Sequence, residues 1–429
     1  MFGFANFLLL ALFAAAVFDL IFALARGGGL RGALHGLWDT PHLLFGQQLA
    51  EWRLQLGRIL FAAGLAAYEI SVVFCNSMAR QNWAWVQGVM SPVLEWLAFL
   101  CFGAKILFGT RYTWRELLAG GALYFIARWV YFNSQNIWWI GIVVAVLAAK
   151  DVRLRHPLQV YFASGCAAMA VVLALHFAGI VAPDLTSERM GALRGTYGYG
   201  HPNTFGGLVF GLVLAYALLR AQKVRWVDCL LVFAVGVFLL VGPASRSAAL
   251  CTLALAVGLV FCRLRAGHSV PRWWPGTCAG MVGLTAAVSY LLPLLVIKVG
   301  PWNNDIGPAW LAKLESLLTC RISLTWMAYR LLDVKIAGQV FNWPTVDNSF
   351  AFALFQFGPV VAALLGILFA AALWGHAKQG RRVEVCCLFA MLAYAYMEVQ
   401  PFHLTTNPTA LLLCGAVFAQ TSARWQKIE

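Results

Sequence analysis

The chain has 429 residues, 62% of them hydrophobic and only 11% charged, with a net charge of +14. A soluble globular domain carries roughly 45–50% apolar and about 25% charged residues, so that class is excluded. The basic residues lie mostly in short loops between apolar runs, and no long basic run is interleaved with aromatics. That pattern sets nucleic-acid binding aside and points to membrane topology.

A span needs about 20 largely apolar residues. In chain order, the apolar runs place spans near 2–25, 57–76, 86–108, 116–133, 136–149, 157–181, 204–220, 227–243, 247–262, 276–297, 349–375, 383–399 and 407–420. The count is thirteen; the short run 136–149 and the ambiguous stretch 31–56 leave twelve and fourteen as alternatives. The first run has no basic residues before it and no clear small-residue cleavage site, so it reads as a retained span. No repeat of 20–50 residues and no low-complexity segment is visible. The expected fold is all-α and polytopic, one bundle over residues 1–429, with two polar insertions at 182–203 and 298–348.

Charge sets the orientation. Segments 26–56, 109–115, 150–156, 220–226, 263–275, 376–382 and the tail from 421 hold 19 Lys and Arg. The short loops on the other side hold four, Arg80, Arg189, Arg194 and Arg246. The positive-inside rule makes the first set cytoplasmic and puts the insertions 182–203 and 298–348 outside, with the N-terminus also external. The long insertion opens with the turn-rich "GPWNNDIGP". "PAWLAKLESLL" and "RISLTWMAYRLLDVKIAG" then carry helical periodicity, so a small helical cap is expected. Arg321 and Arg330 are nine residues apart, about 900° around a helix, and only one can point into a site below the cap.

The eleven cysteines stand singly or as the neighbours Cys386 and Cys387, mostly within apolar runs. They read as buried small hydrophobes, with Cys320 in a polar loop as the exception. There is no CxxC, DxD, HExxH or carboxylate cluster, so no metal and no cofactor is expected.

Four spans begin from polar external starts: Thr204 after "HPN", Ser247 after "SR", Ser349 after "VDN" and Pro408 after "TTN". Asn203 and Asn407 sit where an N-cap would, Asn348 sits at or just before its helix, and Pro408 suits a first helical position. Helix N-termini offer unbonded N–H groups and partial positive charge, which suit phosphate. Arg194, Arg246 and Arg321 fall in the same outer layer, and arginine favours multidentate phosphate contacts. One cap or one interfacial arginine is ordinary; four caps with three arginines favour a site for an anionic head group.

Asp347, Glu398, His403 and His201 are the candidate proton acceptors, Asp347 being the strongest because it joins the cap to the bundle. Within the spans, Asp19, Glu69, Glu95, Lys105 and Arg128 are costly in lipid. Asp19 and Lys105, near span ends, are expected to snorkel. Glu69 and Arg128 are expected to pair within the bundle, or Arg128 lines the site beside "WVYFNSQN". Tyr197, Tyr199 and Trp302 either stack on sugar rings or anchor at the interface.

"RGTYGYGHPNTFGG", residues 194–207, resembles the Arg–Gly–aromatic–(His)–Pro–Asn motif of Wzy-type polysaccharide polymerases, which are related to the O-antigen ligases within the GT-C-like glycosyltransferases. Three more short matches follow in the family's order. They are "GPASRSAAL", "CRISLTWMAYRLL…VDNSFAFALFQFG" and "EVQPFHLTTNPTALLL", so that the resemblance covers about residues 120–420. Residues 1–110 match nothing confidently. "TYGYG" stands where members commonly have Leu-Gly-Phe, and Asp347 stands where the ligase branch tends to carry His, which favours polymerase over ligase.

The resemblance implies glycosyl transfer on the outer face of a bacterial cell membrane. A growing glycan on undecaprenyl pyrophosphate is the donor and a lipid-linked repeat unit the acceptor. Arg194, Arg246 and Arg321 then meet the pyrophosphate, with Tyr199, His201, Asn203, Asn348, Asn407 and Arg128 around the substrate. Asp347 is the base, with Glu398 and His403 as rivals. Its partners would be membrane lipids and the flippase and chain-length regulator of the same pathway, with no nucleic acid. The alternatives are a ligase acting on another acceptor and a transporter or flippase. A transporter usually keeps its site at the midplane between repeats, whereas the polar motifs here gather at one face.

Overall fold

A computed structural model describes residues 2–25, 29–45, 50–181, 187–189, 192–296, 308–318 and 320–418. Helices α1 (Phe2–Ala25), α2 (Gly29–Asp39) and α3 (Ala50–Cys75) come first, with strand β1 (His42–Leu43) between the last two. Next are α4 (Ala79–Asn82), a π-helical turn Val86–Met90 running into α5 (Ser91–Phe108), β2 (Arg111–Tyr112), α6 (Trp114–Ser134), α7 (Ile137–Ala148) and α8 (Arg155–Phe177). A hairpin of β3 (Ser187–Arg189) and β4 (Ala192–Arg194) precedes α9 (Pro202–Leu219), α10 (Trp226–Val241), α11 (Arg246–Leu264) and α12 (Trp274–Leu291). The chain closes with α13 (Ala309–Leu318), α14 (Arg321–Leu331), α15 (Ser349–Phe352), α16 (Pro359–Lys378), α17 (Arg382–Met397) and α18 (Cys414–Val417).

Eight helices among the described residues are long and apolar enough to cross a membrane, and α7, α10 and the segment Pro408–Val417 are shorter apolar helices. The expected count of twelve to thirteen is therefore met only in part. Helix α6 is long but carries Arg115, Glu116 and Arg128, and α17 has 16 residues. The expected span 349–375 is two pieces. Helix α15 passes into a π turn, Ala353–Phe357, and stops at Gly358, whose φ of +88° is followed by Pro359. Apolar side chains cover the outer faces, as Val227, Leu230 and Val241 do on α10. Contiguous apolar surface of that kind suits lipid and not water.

The described chain forms two compact units. The first comprises the described residues within 2–128, 140–208 and 410–418, and the second those within 129–139 and 209–409. In the first unit α3 packs on α5 and α8. Lys105 does not snorkel. It is 1% exposed, and its Nζ donates to Thr110 Oγ1 at 2.6 Å and to the Lys150 carbonyl. Lys150 Nζ donates to the Arg111 carbonyl at 2.6 Å and lies 3.5 Å from both Glu116 and Asp151. Two ammonium groups thus meet two carboxylates, which is how buried charge is tolerated.

Glu69 is not paired with Arg128. It is buried on α3, and its Oε2 has no hydrogen-bond partner among the described residues. Its electrostatic neighbours are Tyr68, Tyr161, Cys166 and Tyr199, so it turns toward α8 and the 194–200 segment.

Asp19 is also buried, and its carboxylate lies 3.5 Å from His42 Nε2, while His42 Nδ1 donates to the Thr40 carbonyl at 3.1 Å. Burial pushes the His42 imidazole down, but Asp19 and the Thr40 carbonyl push it up by more, and the net shift is upward from 6.5. A raised histidine stabilises the fold fully below its ordinary value, and that contribution is lost as pH rises through the raised value. Thermal stability should therefore fall as pH is raised above 6.5 through the raised value. A melting series on His42→Gln should lack that component.

In the second unit α10 packs on α11, α11 on α17, and α12 on α16. Helix α13 follows the periodic stretch 308–318, whereas α14 ends at Leu331, short of the 321–338 that periodicity suggested. Val296, Leu311 and Ile322 form one small core there, and Ala328, Val346, Ala351 and Phe355 a second. Arg321 is buried while Arg330 is exposed with its guanidinium over Trp326, as their angular separation requires.

Candidate functional site

Three of the four polar motifs meet in the second unit. Arg321 opens α14, Ser247 lies in the first turn of α11, and Glu398 follows the last residue of α17. Arg321 Nη2 donates to Glu398 Oε1 and, at 3.1 Å, to Ser247 Oγ. The Ser247 hydroxyl donates in turn to Glu398 Oε1 at 2.7 Å. Arg321 Nε donates to the Met397 carbonyl and Nη1 to the Leu318 carbonyl at 2.8 Å. All three side chains are buried, so this is a desolvated, charge-balanced triad closing contacts across 74, 77 and 151 residues of sequence.

The turn that aims Arg321 has its own cause. Cys320 precedes α14 at φ +68° and is exposed. Glu315 of α13 accepts from the Ile322 and Ser323 N–H groups, each at 3.0 Å, and so fills the N-terminus of α14. A carboxylate is already present at that positive helix end.

Asn348 is the N-cap of α15. Its Oδ1 accepts from the N–H of Phe350 at 2.9 Å and of Ala351 at 3.1 Å, and its Nδ2 donates to Ser289 Oγ at 3.1 Å. Asn348 is therefore occupied in shaping the chain. Ser349 Oγ donates to the Glu398 carbonyl at 2.5 Å, which joins the α15 start to the triad. Asp347, half-buried, lies within electrostatic reach of Glu398. Arg246 is exposed at the first position of α11, where the Ser245 side chain makes no capping hydrogen bond. A basic helix start is a place where an anion is well received.

His403 sits under the Trp138 indole, with ring centroids 3.8 Å apart. Burial pushes its imidazole down to about 3. A ring held neutral to that depth is a poor proton acceptor at neutral pH. Asn407 donates from Nδ2 to the Pro401 carbonyl at 2.9 Å and accepts from Thr409 Oγ1 at 2.5 Å. Pro408 does begin a helical segment, a 3-10 turn over Pro408–Leu413, and the expected span 407–420 runs past residue 418 out of the described residues.

The 194–207 motif is built in the first unit. Tyr197 and Gly198 both adopt positive φ, +52° and +80°, and turn the chain so that the Gly198 carbonyl accepts from the Met78 N–H at 2.8 Å. A side chain at Gly198 would press on His176, so this glycine serves close packing on α8 rather than approach to a substrate. Tyr199, expected against a sugar, is fully buried and packs on Phe205, with ring centroids 5.6 Å apart. Tyr197 is half-buried and stacks on the same ring at 5.0 Å.

Asn203 is not the cap of α9, which starts one residue earlier. His201 Nδ1 accepts the Asn203 N–H at 3.1 Å and caps the helix instead. The Asn203 side chain accepts from Arg194 Nη2 at 2.9 Å, so the buried arginine and the helix start are tied together. Arg128 is half-buried on α6. Trp302 and residues 298–307 lie outside the described residues.

Sequence reasoning did not assign roles to Ser247, Ser289 or Ser349. The first and third lie inside quoted motifs, next to Arg246 and Asn348, and that adjacency was the available signal. Ser289, in the middle of an apolar run, gave none.

Helix lengths and apolar outer faces define a multi-pass helical membrane protein. No protein-family model matches the chain, no curated protein matches it, and no solved structure matches its fold.

Proposed function

We propose that this protein is a membrane glycosyltransferase that joins lipid-pyrophosphate-linked oligosaccharide repeat units into polysaccharide, with the Arg246–Ser247–Arg321–Asp347–Glu398 cluster as its site. The observation that carries the proposal is the convergence of Ser247, Arg321 and Glu398, drawn from three motif segments of the resemblance. The acceptor's hydroxyl attacks the donor's anomeric carbon, the bond to the lipid pyrophosphate breaks, and the hydroxyl proton passes to a base.

Glu398 Oε1 is bonded to Arg321 and Ser247, and the half-buried Asp347 within its electrostatic reach is the base. The leaving pyrophosphate needs positive charge in place before its own develops. Arg246 and the N-terminus of α11 supply it. Arg321 is balanced by Glu398 and holds α11, α14 and the end of α17 together, so its contribution is order more than charge.

The lipid-linked glycan profile of a deletion strain tests the reading. Accumulated single repeat units with loss of long chains support it. Loss of transport with intact glycans makes the protein a transporter, and long chains left on the carrier make it a ligase. Arg246→Ala, at an exposed position, is expected to cut chain growth at least tenfold, about 1.4 kcal/mol in a transition-state barrier, with an unchanged melting temperature.

A further inference from the structure

The cysteines read from sequence as inert hydrophobes include one pair that is not. Cys262 on α11 and Cys386 on α17 stand with their sulfurs 3.5 Å apart, across 124 residues of sequence. The contact is built. Gly258 lies one turn before Cys262, and a Cβ there would sit 3.1 Å from the Cys386 sulfur, so the missing side chain makes room for it. Cys262 is buried and Cys386 half-buried. The pair lies beside the polar loops that follow α11 and precede α17. Arg382, one turn before Cys386, donates to the Arg265 and His268 carbonyls and brings a positive charge to the thiols, with Glu384 also in reach. Cys229 and Cys387 are the next thiols within reach of Cys262, and neither makes a hydrogen bond to it.

We propose that Cys262 and Cys386 form a reversible dithiol–disulfide pair that staples α11 to α17. The sulfurs must close from 3.5 Å to about 2.05 Å. The oxidant is a small-molecule disulfide. The more accessible Cys386, as thiolate, attacks one sulfur of that disulfide and expels a thiolate. Cys262 then attacks the Cys386 sulfur of the mixed disulfide and expels the second thiol. Two protein thiols are oxidised, one disulfide is reduced to two thiols, and the two protein protons leave with them. The staple sits about 22 Å along α11 from Ser247 and about 18 Å along α17 from Glu398. It therefore fixes the far ends of the two helices whose near ends hold the Arg321 triad.

The test uses the full-length protein in detergent micelles, treated with oxidised glutathione, alkylated under denaturing conditions and digested. Mass spectrometry is expected to find a linked peptide joining Cys262 to Cys386, absent after dithiothreitol, with Cys229 and Cys387 alkylated. The melting temperature should rise on oxidation and return on reduction, and Cys386→Ser should show neither effect. Should Cys386→Ser fail to fold, Cys386→Ala, smaller beside Gly258, serves the same comparison. Full alkylation of both residues after oxidation would overturn the proposal, as would linkage of Cys262 to Cys229 or Cys387.

Discussion

Arg321→Ala is expected to stop polysaccharide chain growth and to lower stability together, whereas Arg246→Ala lowers only the first. Removing Arg321 leaves the Glu398 carboxylate buried with Ser247 as its remaining partner in the triad, and also strips donors from the Leu318 and Met397 carbonyls. Breaking a buried ion pair by deleting one partner costs about 3–5 kcal/mol. The double variant Arg321→Ala, Glu398→Ala removes both charges, so much of the melting temperature should return, as pairwise coupling demands. Chain growth should not return, because the link between α14 and α17 is gone. A stable double variant that still made full-length polysaccharide would sink the assignment of this cluster as the site.

The second large effect is expected at Gly358, where an alanine should prevent accumulation of folded protein. The residue has φ +88°, and a Cβ would overlap the Ile336 carbonyl oxygen. Gly338 meets the Gln356 carbonyl in the same way from the other segment, and the Gln339 N–H donates to that carbonyl at 3.2 Å. Two backbones are therefore pressed together where α15 ends and α16 begins, and neither can yield without losing the other. A clash with backbone at a left-handed position belongs to the exceptional class of substitutions costing on the order of 4 kcal/mol or more. Size-exclusion profiles and thermal melts of Gly358→Ala and Gly366→Ala make the comparison, since nothing lies near a Cβ at Gly366.

The helices were largely legible. The runs near 2–25, 116–133, 204–220, 227–243 and 247–262 match α1, α6, α9, α10 and α11 to within two residues at each end. Apolar runs and cap residues are local signals, and a helix satisfies its backbone locally. Helix α13 and the first part of the 321–338 stretch were legible for the same reason. The break at Gly358 carried a local signal, the Gly358–Pro359 step, but the apolar run on both sides of it reads as one continuous span. What ends the helix is the chain 336–339 arriving from outside it.

The candidate site divides in the same way. Sequence alone determined that the protein is helical and apolar enough for a membrane, where several of its helices lie, and that Arg194, Arg246, Arg321, Asp347 and Glu398 stand near helix ends. Tertiary structure decided which of them work together. It gave Arg321 to Glu398 and Ser247, gave Arg194 to Asn203, turned Tyr199 into core, made His201 rather than Asn203 a cap, and left Glu69 facing tyrosines. The physical reason is range. Propensity and hydrophobic period act over a few residues, whereas a buried charge must find its partner wherever the fold brings one, here 77 residues away.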